Sequence, residues 1–354
     1  DNEYRHWIGT LKGGINILDP QISQFKMVTH DPLNPNSLVN NFAGTFFEDK
    51  GNNLFIGTDG GGMSVWNRKT NKFQNFSHND LIPGTISSNK VTSIVEDHLK
   101  NIWIATFGGG VNRFNRSTGK FEVYPCINGE TGIENTKVWK LLVDSRNTLW
   151  ATTFGNGKLY RFNYVLNRFE VFSQTLHDLV SFIEDKNGVL WGGNSQNLVK
   201  IDRQNKKHEY FNIRKPVRAI FEDSNNNFWV GTEGSGIILF NRNTGKIDAQ
   251  YTDVDGLCNN SVLTILEDRQ NNLWLSTFNG LSRFSPSNKT FTNFYQSDGL
   301  SGNQFLYSSA LRLRTGEFVF GGINGFTLFT PENIFPRGYM PPVYITGLRV
   351  NNKS

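Results

Sequence analysis

The stretch Val91-Thr92-Ser93-Ile94-Val95-Glu96-Asp97, with Asn101-Ile102-Trp103-Ile104-Ala105-Thr106 and Gly108-Gly109-Gly110-Val111-Asn112-Arg113-Phe114-Asn115 after it, decides the fold. Its three apolar runs are of strand length and are broken by polar turns. After Thr118-Gly119 a fourth run, Lys120 to Tyr124, completes the unit. The turns are made of Asn, Asp, Gly and Ser, which accept positive φ or bond their own backbone. The unit therefore reads as four antiparallel strands.

Outward from there the tryptophan phrase recurs: Trp7-Ile8-Gly9-Thr10, Phe55-Ile56-Gly57-Thr58, Trp150-Ala151-Thr152-Thr153, Trp191-Gly192-Gly193, Trp229-Val230-Gly231-Thr232, Trp274-Leu275-Ser276-Thr277 and, more weakly, Val319-Phe320-Gly321-Gly322. Successive anchors lie 48, 48, 47, 41, 38, 45 and 45 residues apart. The mean, about 45, is the length of a four-stranded propeller blade. First strands recur seven times, near residues 41, 90, 137, 178, 216, 261 and 305. Fourth strands also recur seven times, near 24, 73, 121, 168, 208, 248 and 291, whereas second and third strands recur eight times. The sequence predicts an all-β, seven-bladed β-propeller of four-stranded antiparallel blades over residues 19–335, its last blade completed by a strand from residues 24–28. Residues 1–18 read as surplus strands, the end of a preceding propeller repeat. An eight-bladed ring with two incomplete blades is the alternative.

Composition agrees with this reading. The 354 residues are 37% hydrophobic, 13% aromatic and 19% charged, with 35 Gly and 29 Phe but only 3 Met. That mix suits short strands and tight turns and argues against disorder or helix bundles. No run of about 18 apolar residues occurs, and Asp1-Asn2-Glu3 does not open an export signal. The stretch is expected neither to span a membrane nor to carry its own export signal. The net charge is +5, but the basic residues are scattered through turns, so no nucleic acid is expected as a partner. Cys126 and Cys258 lack C-x-x-C spacing and fall three blades apart, so both are expected as free thiols.

Most motifs that look chemical belong to the repeat. Glu48-Asp49, Glu96-Asp97, Glu184-Asp185, Glu222-Asp223 and Glu267-Asp268 end first strands; copied into five blades, they read as turn builders, since catalysis needs unlike roles in one site. Gly60-Gly61-Gly62 and Gly108-Gly109-Gly110 lack a following helix and a Gly-Lys-Ser tail, so they are turn glycines and not a phosphate loop. The Trp row reads as packing between blades. The 6 His residues are isolated from one another without metal-ligand spacing, and Gly-x-Ser-x-Gly is absent, Gly234-Ser235-Gly236 being part of a repeated turn. No catalytic residue, metal or cofactor is expected.

Positions that break the repeat say more, because blade packing does not ask for them. Four residues before the terminal Asp stand Thr45, Ser93, Lys140, Ser181, Ala219 and Thr264, and one place earlier Gly44, Thr92, Trp139, Val180, Arg218 and Leu263. Blade 3 deviates most, with Val143 in place of Glu and with Lys137, Trp139 and Lys140 in its first strand. His177 and Asp178, then Lys215 and Arg218, follow in blades 4 and 5. Phe107, Phe154 and Phe278 hold equivalent places in the turns after the Trp strands. Lys137, Trp139, Lys140, His177, Arg218, Phe107, Phe154 and Phe278 are expected to converge on one mouth of the channel as an aromatic and basic ligand site.

The unit quoted first, and the stretch around Glu267-Asp268 and Asn272-Leu273-Trp274, resembles the two-component regulator propeller repeat. Ser297-Asp298-Gly299-Leu300-Ser301-Gly302-Asn303-Gln304-Phe305, with Phe320-Gly321-Gly322-Ile323-Asn324-Gly325-Phe326 and Phe329-Thr330-Pro331-Glu332, resembles the closing blade of that family's C-terminal propeller. Pro341-Pro342-Val343-Tyr344-Ile345-Thr346-Gly347-Leu348 resembles the first strand of the triple-tyrosine immunoglobulin-like domain that follows it, which makes residues 336–354 a linker and a truncated strand. The resemblance covers residues 1–335, and blades 4 and 7 depart from it most by lacking the Thr of the Trp strand.

What the resemblance implies is a piece of the periplasmic sensor region of a Bacteroidetes hybrid histidine kinase, anchored in the inner membrane. Such a sensor detects a polysaccharide-derived oligosaccharide and controls glycan-utilisation genes. The fragment itself would be non-catalytic, with the oligosaccharide, the rest of the ectodomain and a second copy in a homodimer as partners. Two other classes compete with this reading. One is a propeller enzyme of lyase or lactonase type, for which the first strands offer only His177 and Asp178 together. The other is a purely dimerising scaffold.

Overall fold

The computed structural model describes residues 6–10, 14–18 and 24–335. Seven four-stranded antiparallel sheets make the propeller, six of them running from first to fourth strand in chain order, and the eight-bladed alternative falls. Blade 2 is typical: Val91–Glu96, Ile102–Thr106, Gly110–Asn115 and Lys120–Tyr124. Blade 7 combines Phe305–Arg312, Phe318–Gly322 and Gly325–Phe329 with Lys26–Val28, Lys26 facing Leu328 and Val28 facing Phe326. Joining two distant parts of the chain in one blade closes the ring, so that only short, protected edges are left. The first copy of the tryptophan phrase, His6–Thr10, pairs with Gly14–Leu18 in a two-stranded sheet of its own. Trp7 is 54% exposed there, whereas Trp103 is fully buried. The readings of residues 1–5, 11–13, 19–23 and 336–354, the linker and immunoglobulin-like strand included, lie outside the described residues.

The repeated Glu-Asp pairs have separate structural tasks. Asp97 Oδ1 accepts the backbone N–H groups of Leu99 and Asn101, each at 2.9 Å, and shapes the turn. Its Oδ2 accepts the indole N–H of Trp103 at 2.7 Å. The same bond joins Asp144 to Trp150, Asp185 to Trp191, Asp223 to Trp229 and Asp268 to Trp274. An indole buried between two sheets needs an acceptor for its N–H, and the Asp six residues earlier supplies it.

The Glu of the pair reaches the preceding blade. Glu184 accepts the backbone N–H of Ser145 at 2.6 Å, Glu222 that of Lys186 at 2.7 Å and Glu267 that of Ser224 at 2.9 Å. Arg242 adds a second tie, 2.8 Å from Asp185 of blade 4 and 2.5 Å from Glu222 of its own blade 5. Val143 removes this latch between blades 2 and 3. There Trp103, Tyr124, Phe162 and Phe169 form an aromatic core across the seam, and Tyr164 Oη donates to Asp97 at 3.3 Å.

Candidate functional site

The deviant column identified from the sequence is a column of β-bulges. In blade 3 Val138 faces Thr153 and Lys140 faces Thr152, which leaves Trp139 outside the pairing. Gly44, Thr92, Arg218 and Leu263 are bulged at the same place in blades 1, 2, 5 and 6. A bulge re-aims its side chain out of the regular pleat. In blade 7 the irregularity is larger: Phe305 faces Gly322 and Ala310 faces Phe320, so four residues, Leu306 to Ser309, stand against Gly321. Ser308 adopts φ +54° within this arch, and Tyr307 precedes it.

Contacts between blades that are not neighbours place these side chains over the channel. The ring of Trp139 in blade 3 lies 6.3 Å from that of Tyr307 in blade 7, and the Arg218 guanidinium of blade 5 lies 4.3 Å over Tyr307. Phe107 and Phe154 flank Trp139 at 6.3 and 5.9 Å, and Phe278 meets Tyr307 at 5.6 Å. The Trp139 indole donates to the Val180 carbonyl at 3.0 Å, which fixes the ring's orientation. Lys137 Nζ lies 5.7 Å over Phe107.

The basic character expected of the rim is reduced by pairing. Arg218 Nη2 is 2.6 Å from Glu233 Oε2, and Tyr307 Oη donates to the same oxygen at 3.3 Å. Burial raises the Tyr307 hydroxyl pKa, and the Glu233 charge adds to this against Arg218, so the phenol stays a neutral donor. Lys90 Nζ stands 3.8 Å from Asp59.

Among the described residues, two of the expected site residues make no contact with these rings. His177 does not join the rings; it faces Lys158, with Nζ 3.1 Å from Nδ1, while its neighbour Asp178 accepts the Gly157 N–H at 3.0 Å. Both are spent on holding the blade 3 turn, for which the chain at Asp178 takes φ +50°. Lys140 follows the bulge, at the position where Ser93 accepts the Leu141 N–H and Ser181 donates to the Val217 carbonyl across the seams. Burial lowers its ammonium pKa. The other six, Lys137, Trp139, Arg218, Phe107, Phe154 and Phe278, form one connected group around Tyr307. Tyr307 and Glu233 escaped the sequence reading, although Glu233 follows Thr232 as Phe107 follows Thr106.

A cavity of about 230 Å³ opens beside the group, lined by Phe107, Trp139 and Tyr307, by Gly44 and Thr92, and by Asp59 and Lys90. It exists because the bulge residues of blades 1 and 2 are small where blade 3 has Trp139 and blade 5 has Arg218. Grooves of about 480 and 440 Å³ lie away from the channel, lined by Asp185 and Arg242 and by Phe55 and Arg116. They recur at equivalent seams, so they follow from the repeat, whereas the mouth is built from residues that break it. Among the described residues no three His, Cys, Asp or Glu side chains come together as a metal site.

Fold and mouth together define a seven-bladed propeller with an aromatic cluster at its channel mouth. Three of its units match the model of the two-component regulator propeller family, over residues 85–108, 213–234 and 256–279, in each case a first strand, its turn and a Trp strand. Histidine kinase P4 of Formosa agariphila is 29% identical over 231 residues, 60% of this chain and 17% of that protein. The extracellular domain of BT3049 of B. thetaiotaomicron, assigned to a hybrid two-component system, is 25% identical with a TM-score of 0.50, covering 99% of this chain and 54% of that one. That of BT4673 shares the fold at a TM-score of 0.67 and 17% identity, covering 86% of this chain and 39% of that one. The chain thus spans a sixth to about half the length of these relatives. Virginiamycin B lyase of Staphylococcus aureus has the same fold at a TM-score of 0.62 and 12% identity, covering 86% and 98%.

Proposed function

We propose that this propeller is the extracytoplasmic ligand-sensing part of a hybrid two-component histidine kinase, and that it binds a polysaccharide-derived oligosaccharide at the channel mouth. The observation that carries the reading is the group Phe107, Trp139, Phe154, Phe278 and Tyr307, drawn from four blades at positions the repeat leaves free. Flat rings with a few hydrogen-bonding groups at their edges suit the apolar face and hydroxyl rim of a sugar. Signal passes because the ligand binds one pairing of ectodomains better than another, which shifts the population that the kinase reads. The partners are then a second copy of the chain and the rest of the ectodomain, at the periplasmic side of the inner membrane, and the output is expression of glycan-utilisation genes. Support comes from the histidine kinase and hybrid-system relatives.

A glycan-library binding screen with the complete ectodomain tests this. Saturable binding of a defined oligosaccharide is expected, weakened in Trp139→Ala. A complete ectodomain that binds no glycan removes the reading and leaves the dimerising scaffold.

A further inference from the structure

The cavity beside Trp139 has a size and a charge balance that the sequence did not announce. At about 230 Å³ it lies below the roughly 300–1,000 Å³ of sites for drug-sized ligands, so it holds one ring rather than a run of them. Phe107, Trp139 and Tyr307 give it an aromatic lining, with the Trp139 ring 6.3 Å from each of the other two, so the three rings adjoin one another and offer an apolar surface to one side of a ligand. Its charged groups are Asp59 and Lys90, opposite in sign and 3.8 Å apart. Both side chains are more than half exposed, so each keeps hydrogen-bonding capacity for a ligand. Arg218, which would favour an anion, is held by Glu233. Lys137 lies over Phe107 and does not line the cavity.

We infer that the cavity selects an uncharged terminal sugar ring, seated against the Trp139 and Tyr307 rings, with adjacent hydroxyls shared between Asp59 and Lys90. The inference rests on the sensing reading above and narrows it, since a uronate carboxylate gains no net attraction from an Asp59–Lys90 pair whose charges cancel. A pyranose ring presents C–H groups on its faces and hydroxyls on its rim, which matches apolar walls and a polar edge. Because the pocket's charges pair with each other, binding gains little from long-range attraction and should resist salt.

Gly44 supplies a direct test. A Cβ placed there meets nothing nearer than the Val91 carbonyl oxygen at 3.7 Å, and equivalent bulges accept Trp139 and Arg218. Gly44→Leu should therefore leave the fold intact while filling the cavity. The complete ectodomain, wild type and Gly44→Leu, is titrated with neutral gluco-, galacto- and xylo-oligosaccharides and with oligogalacturonates, at low salt and at about 1 M NaCl. Expected are binding of a neutral series, salt response under about twofold, and a loss of about tenfold or more in Gly44→Leu at unchanged melting temperature. A neutral glycan that binds both proteins equally overturns the cavity as the site and leaves the sensing reading standing. Uronate binding that weakens steeply with salt overturns the inferred ligand class alone. If wild type binds nothing, both fall together. A melting temperature lowered in Gly44→Leu shifts the comparison to Tyr307→Phe and Asp59→Asn, of which the second must weaken neutral-sugar binding.

Discussion

Removing the Asp97 side chain tests how the blades are held. Asp97 is buried and accepts four kinds of donor: two turn N–H groups, the Asn101 amide, the Trp103 indole at 2.7 Å and the Tyr164 hydroxyl at 3.3 Å. In Asp97→Ala the indole N–H stays buried without an acceptor, which costs about 1–3 kcal/mol, and the turn loses bonds worth about 1 kcal/mol net. The expected loss is about 3 kcal/mol, a large share of the 5–15 kcal/mol typical of a folded domain. Urea unfolding followed by tryptophan fluorescence should show a lower midpoint at unchanged slope.

The charge adds a pH signature. Burial alone would raise the Asp97 carboxyl pKa, but the hydrogen bonds from Asn101, Trp103 and Leu99 outweigh it and hold the group below the ordinary range. A depressed folded pKa gives stability that is present above the unfolded value of about 3.9 and is lost as pH falls through the folded value. Wild type should weaken below about pH 4, and Asp97→Asn should show a shallower acid slope. A midpoint in Asp97→Ala within about 0.5 kcal/mol of wild type would refute the indole–carboxylate lock.

Gly321→Ala would place a Cβ 2.1 Å from the Ala43 carbonyl oxygen, where blade 7 meets blade 1. We expect about 1–3 kcal/mol of destabilisation from such overpacking, and an unchanged melting temperature would show that the seam gives way freely. Cys126 and Cys258 are both free, Cys126 fully buried with its thiol pKa pushed up by desolvation and the Glu134 charge. Mass spectrometry after maleimide treatment should find Cys126 unlabelled in the folded protein and both labelled in urea; a bridge between them would overturn the blade alignment.

The ring was legible because the chain states it many times over, and the surplus of second and third strands marked the first copy as standing apart. The exchange of Lys26–Val28 into blade 7 could be counted for the same reason. Trp139 and Arg218 stood out as departures from their columns, yet nothing in their spacing showed that the column is bulged, which is what turns them over the channel. Tyr307 was hidden because blade 7 has Leu313 where the other first strands end in Asp, so its long arch had no alignment mark. His177 stays apart from the rings because it faces Lys158 while its neighbour Asp178 takes the Gly157 N–H, contacts with a blade 3 turn that the repeat pattern does not mark. The neutralising role of Glu233 needed the fold to bring it to Arg218 and Tyr307 at once.

A crystal structure of the complete ectodomain with its best-binding oligosaccharide would decide most directly whether the channel mouth holds the ligand. The expected result is a sugar ring against Trp139 and Tyr307 with hydroxyls at Asp59 and Lys90. Sugar density in a circumferential groove, such as the one lined by Asp185 and Arg242, with the mouth empty, would contradict it.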